Sequence, residues 1–223
     1  MLVKEADTTK ENKPQIEPPK RSVPEEVGNA VTHGAGALAG IAALVLLLVR
    51  ADTPMKVLAA AIYGSCLVLL FLMSCLYHSF RWGSRVKRLW RRFDYLSIYL
   101  LIAGTFTPFW LVYKGDSLGK ICCAVFWAAA AFGITMVAVF GPGRLRALHM
   151  TMYIAMGWSG LIFLPGMIRD NLPLFLTTLG GGLLYTLGII PFALKKKGAH
   201  FIWHFFVLFG AALHWIGIYL FLY

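Results

Sequence analysis

The C-terminal stretch His200-Phe-Ile-Trp-His204-Phe-Phe-Val-Leu-Phe-Gly210-Ala-Ala-Leu-His214-Trp-Ile-Gly-Ile-Tyr-Leu-Phe-Leu-Tyr223 decides what kind of protein this is. It contains no Asp, Glu, Lys or Arg, and as a helix it is long enough to cross a bilayer, which takes about 20 apolar residues. Two imidazoles nevertheless sit at its start. Helical residues four apart lie on one face with Cβ atoms about 6 Å apart, so His200 and His204 can share a ligand. Imidazole pairs at this spacing commonly begin a zinc site. His-x-x-x-His alone matches many unrelated helices, so the pattern gains meaning only if other segments bring donors to the same depth.

Working outward, the 223 residues are 59% apolar and 14% charged. The apolar residues fall into runs longer than a soluble core helix needs, which indicates a polytopic membrane protein. Seven spans are expected, at about 30 to 49, 57 to 80, 94 to 113, 119 to 140, 149 to 168, 172 to 194 and 201 to 223. Gly141-Pro142-Gly143 and Pro165-Gly166 blur the ends of the fourth and fifth. The runs do not alternate polar and apolar, so the fold class is all-α, a seven-transmembrane-helix bundle rather than a barrel.

The net charge of +11 reports topology. Most of the basic residues fall before the first span (Lys4 to Arg21), between the second and third (Arg81 to Arg92), between the fourth and fifth (Arg144, Arg146) and between the sixth and seventh (Lys195 to Lys197). The opposite side has Arg50, Lys56, Lys114, Lys120 and Arg169. The positive-inside rule then makes the N-terminus cytoplasmic and the C-terminus external, and leaves no basic surface that calls for nucleic acid. Cys66, Cys75, Cys122 and Cys123 lie within spans without C-x-x-C spacing and read as small apolar residues. No cleavable leader is expected. Residues 1 to 24, rich in charge and proline, are expected to be a disordered cytoplasmic tail, and 25 to 223 the membrane domain.

Several polar side chains then stand out. Glu25 and Glu26 suit the positive end of a first helix. His33 follows just inside the same boundary, open to an interfacial, inter-helix or outer-shell role. Gly36 and Gly40, and later Gly180-Gly181-Gly182 beside Tyr185, permit close helix approach. Ser74 and His78 share a face where the second span ends, and Asp94 opens the third. Its simplest account alone is a carboxylate paired with Arg91 or Arg92 at a helix start. Pro108, with Thr105 and Thr107 upstream, predicts a kink between Gly104 and Pro108. His149 is expected at the interface. His214, about 15 Å deeper than His204 at 1.5 Å per residue, is expected to be an interior hydrogen-bonded or pocket residue.

The topology puts His78, Asp94, His200 and His204 at one depth, although no ligand chemistry was used to draw it. Three neutral imidazoles with an open position fit catalytic zinc. Asp94 would orient or deprotonate the nucleophilic water, and Ser74 would add a hydrogen bond, unless the cluster only ties helices together.

Glu26-x-x-Asn29-x-x-Thr32-His33, Ser74-x-x-x-His78, Phe93-Asp94-Tyr95-x-Ser97, Gly104-Thr-Phe-Thr-Pro108-Phe109, Gly181-x-x-x-Tyr185-Thr-x-Gly188 and His200-x-x-x-His204 with His214 together resemble the hemolysin III branch of the progestin and adipoQ receptor family. The resemblance covers the chain after residue 24. It implies a seven-helix bundle with zinc near the cytoplasmic leaflet, bound by His78, His200 and His204, with Asp94 and Ser74 contacting the zinc-bound water. His33, Glu26, Tyr185 and His214 remain outer-shell or pocket candidates. The superfamily's suspected ceramidase activity suggests a zinc-dependent hydrolase of a membrane lipid amide in a bacterial plasma membrane. The alternatives are a pore-forming cytolysin or channel, against which stand the lack of a polar stripe and of an export signal, and a receptor or sensor with structural zinc.

Overall fold

The computed structural model describes residues 17–194 and 196–223, and every regular element among them is helical. The helices are α1 (Val23–Arg50), α2 (Pro54–Ser79), α3 (Arg85–Pro108), α4 (Ser117–Phe140), α5 (Arg146–Trp158), α6 (Leu164–Asp170), α7 (Leu172–Ala193) and α8 (Ala199–Phe221). The first sixteen residues of the expected tail lie outside the described ones. Residues 17–22 form no regular element and lean on the turn between α2 and α3: Trp82 Nε1 donates to Pro18 O at 3.0 Å, and Arg88 pairs with Glu17 at 3.0 Å.

Helix starts follow from local chemistry. Thr53 accepts from the Lys56 N–H, Ser84 from Lys87, Asp116 from Gly119 and Asn171 from Leu174, each supplying an acceptor to a free first-turn donor. Pro24, Pro54 and Pro173 occupy first-turn positions, where a missing N–H costs nothing. At the α4 cap, the bond from Gly119 N–H and then Lys114 hold the Asp116 carboxyl below its ordinary pKa.

Six of these helices are long and apolar enough to cross a membrane. The expected fifth span is the exception. Over 146 to 170 the chain forms α5, a 3-10 turn (Ser159–Phe163) and α6, broken around Gly160 and Pro165-Gly166. The irregularity expected between Gly104 and Pro108 falls just beyond it: α3 runs regularly to Pro108 and then widens into a π-helical turn over Phe109–Lys114. Proline has no N–H to donate, and its ring crowds the carbonyl four residues back. Thr107 Oγ1 donates to Ala103 O at 2.8 Å and accepts from Trp127 Nε1 at 3.0 Å, tying the site to α4.

α1 packs on α2 and α8, α2 on α3, α3 on α4 and α5, and α7 on α8, with α5 touching α7. Leu38, Val45, Val125, Phe132, Leu183 and Phe209 point outward, the surface a bilayer would cover. At one end, Tyr223 Oη donates to Lys56 O and Asn171 Nδ2 to Phe221 O, gathering the C-terminus with the α1–α2 and α6–α7 connections. The start of α1, the α2–α3 turn and the start of α8 gather at the other.

Glycines set the closest contacts. A Cβ on Gly104 would lie 2.6 Å from Cys66 Cβ, an atom that cannot move without its backbone, whereas one on Gly182 would meet nothing within 4 Å. Gly104→Ala should therefore destabilise the bundle by about 1–3 kcal/mol through overpacking, and Gly182→Ala should leave it unchanged or slightly more stable. Thermal unfolding in detergent of both variants beside the wild type checks the contrast.

Candidate metal centre

The site begins with Glu26, one turn into α1. One oxygen, Oε2, lies 2.6 Å from His78 Nδ1, and the other, Oε1, pairs with Lys87 Nζ at 3.0 Å. Lys87 is fully buried, and its ammonium also donates to Tyr77 O at 3.0 Å. One carboxylate thus joins α1 to the end of α2 and the start of α3. An ionised carboxylate only accepts, so His78 carries its proton on Nδ1 and turns the bare Nε2 lone pair inward. That Nε2 is buried without a hydrogen-bond partner. Carboxylate–imidazole pairs of this kind orient metal-ligating histidines and raise their basicity.

Nε2 of His78 faces α8. The His78 ring centroid is 5.2 Å from that of His200 and 4.9 Å from that of His204, and one ligand atom from each of the three lies within 4.8 Å of the others. His204 is prepared in the same manner. Thr32 Oγ1 donates to the Gly28 and Asn29 carbonyls, so its lone pair receives His204 Nδ1–H at 3.3 Å, which frees the opposite nitrogen. Three such donors on two helices could hold one metal ion. An imidazole-only set suits zinc, copper, iron or nickel.

Asp94 and Ser74 lie beside this triad. The Ser74 hydroxyl hydrogen-bonds the Asp94 carboxyl, and both line a cavity of about 190 Å³ that also exposes His200 and His204. Arg92, one of the two suggested partners of Asp94, donates to Ala138 O at 3.1 Å. Arg21 reaches the same cavity and donates to Tyr77 Oη at 3.4 Å. Leu70, Ile98, Leu101, Ile102 and Phe106 give the chamber apolar walls.

His33 stacks on His204 with ring centroids 3.7 Å apart, beside the triad and not within it. Tyr185 and His214 line the far part of the cavity. One expectation is corrected. His149 is not interfacial but 1% exposed, with Nδ1 2.9 Å from Tyr99 Oη, because α5 turns that face onto α3. Lys87, in the basic stretch between the second and third expected spans, is not solvated but buried against Glu26. Asn29, fully buried 3.4 Å from His78 Nδ1, and Lys87 were missed as site residues. Their signal is a polar residue three positions after Glu26 and a lysine nine after His78, and only the fold makes either specific.

The profile of the "Haemolysin-III related" family matches residues 21–215. The chain belongs to that family. It is 39% identical to "Hemolysin-3" of Bacillus cereus over 197 residues, covering 86% of this chain and 89% of that one. It is 35% identical to the "Hemolysin-3 homolog" of Bacillus subtilis (strain 168), covering 86% and 91%. It is 30% identical to the human "Monocyte to macrophage differentiation factor", covering 89% and 85%. Weaker similarity extends to adiponectin-receptor and progestin-and-adipoQ-receptor proteins. With its six apolar helices, this haemolysin-III protein is an integral membrane protein.

Removing the shared carboxylate strands two groups at once. Glu26→Ala should lower stability by about 3 kcal/mol, as expected when a buried pair loses one partner, and Glu26→Ala with Lys87→Met should recover part of the loss. Denaturation midpoints of the wild type, Glu26→Ala, Lys87→Met and the double variant in one detergent measure the coupling.

Proposed function

We propose that this protein is a zinc-dependent hydrolase of a membrane lipid amide. The observation that carries the reading is the orphaned Nε2 of His78, held toward His200 and His204 beside a cavity where a carboxylate meets an apolar chamber. His78, His200 and His204 would hold the metal. A divalent ion bound there would supply Lewis acidity, lowering the pKa of water toward neutrality and polarising a carbonyl.

The chain's own residues supply the rest. Glu26 and Thr32 fix the tautomers and orientations of His78 and His204. Asp94 is placed to accept a proton from water and return it to the departing amine, and Ser74 holds the carboxylate in position. The apolar walls accept an acyl chain, so that its carbonyl end meets the polar end of the cavity. The charge distribution supports a cytoplasmic N-terminus and an external C-terminus, with the site toward the cytoplasmic leaflet of a bacterial plasma membrane. This orientation needs the α5–α6 segment to complete a seventh crossing. Residues 1 to 24 are proposed to form a cytoplasmic tail, with its last residues against the α2–α3 turn.

Purified protein incubated with fluorescent ceramide should release labelled fatty acid. Asp94→Asn should slow the release by about 10²-fold or more, the usual contribution of a positioned general base. Wild-type turnover in that variant, or none in the native protein, contradicts the mechanism.

A further inference from the structure

The far part of the cavity holds polar groups that the proposed chemistry does not use. His214 is about 15 Å along α8 from His204 at 1.5 Å per residue, is buried, and lines the chamber. Its Nε2 lies 3.1 Å from Thr178 O, and a carbonyl can only accept, so the proton is on Nε2 and Nδ1 presents a lone pair. That Nδ1 has no partner, and neither does the buried hydroxyl of Tyr185. The Tyr185 and His214 rings stack at 5.6 Å, and both residues line the cavity. Two helices, α7 and α8, therefore bring one acceptor and one hydroxyl together deep in an apolar bundle.

The surrounding glycines make room for this cluster. A Cβ on Gly181 would lie 2.8 Å from His214 Cε1, and one on Gly210 would lie 3.1 Å from Tyr185 Cε1. Both rings occupy space that any other residue would close. Unpaired polar atoms in hydrocarbon are costly, and a protein core keeps few of them without a partner. The group they lack must both donate, to His214 Nδ1, and accept, from a tyrosine hydroxyl. An alcohol does both, whereas a methylene does neither.

We propose that Tyr185 and His214 form a second polar subsite, which binds a hydroxyl carried partway along an acyl chain whose carbonyl end lies at the His78, His200 and His204 centre. The proposal rests on the lipid-hydrolase reading for the placement of the chain, and it narrows the substrate class to hydroxylated acyl groups. An extended chain advances roughly 1.25 Å per carbon, from bond lengths and angles like those of the backbone, so about 15 Å corresponds to a hydroxyl near the twelfth carbon.

The test compares 12-hydroxystearate with stearate in equilibrium binding to the purified full-length protein, and it needs no turnover. The hydroxylated acid should bind about tenfold more tightly, the size of effect expected for one or two buried hydrogen bonds. Tyr185→Phe, which keeps the ring against Gly210, should reduce that preference to less than about twofold while leaving stearate binding unchanged. Retained stearate binding shows that the variant is folded. Equal affinity for the two acids in the wild type, as when the cluster holds water only, overturns the subsite and leaves the hydrolase reading standing. Binding of neither acid overturns both.

Discussion

The structure depends on the Glu26 carboxylate, shared between an imidazole and a buried ammonium. Lys87 is taken into the bundle only because Glu26 and the Tyr77 carbonyl receive it, and His78 is oriented only because the same carboxylate accepts from Nδ1. An ion pair in this setting adds little net stability, since desolvation offsets its attraction. Its value is positional. It fixes the ends of three helices and keeps one nitrogen lone pair facing the two histidines of α8.

The rest of the site follows from that placement. α8 meets α1 closely because Gly36 lacks a side chain where Leu208 and Phe71 approach, and Gly28 does the same beneath Phe201. Those contacts bring Thr32 to His204 and His33 into a stack on the same ring. The triad therefore opens toward the chamber bounded by α2, α3, α5, α7 and α8, where Asp94 and the apolar walls lie. Rigid helices, not loops, carry every one of the three imidazoles, which favours fixed geometry at a centre that could hold one metal ion.

Much of this was legible in the chain. Long apolar runs announced the helices, and the positions of His78, Asp94, His200 and His204 near span ends predicted a meeting that the structure shows for the three histidines. The fifth expected span was drawn as one helix because hydropathy averages over Gly160 and Pro165-Gly166, which break the helix without lowering its apolar character. The exposed or buried state of a single charge was not legible either. Lys87 belongs to a run of basic residues, and nothing local distinguishes it from Arg85 or Arg88; its burial is decided by Glu26, distant in sequence. His149 likewise reads as a boundary residue until α3 supplies Tyr99.

The central claim is that His78, His200 and His204 grip one divalent ion. The most direct measurement is the metal content of the purified protein by elemental mass spectrometry, wild type beside His78→Ala, with folding of the variant verified by its helical circular dichroism. The account predicts close to one zinc per chain in the wild type and a large loss in the variant. A folded wild type without bound metal, or a His78→Ala protein that retains its full complement, would contradict it.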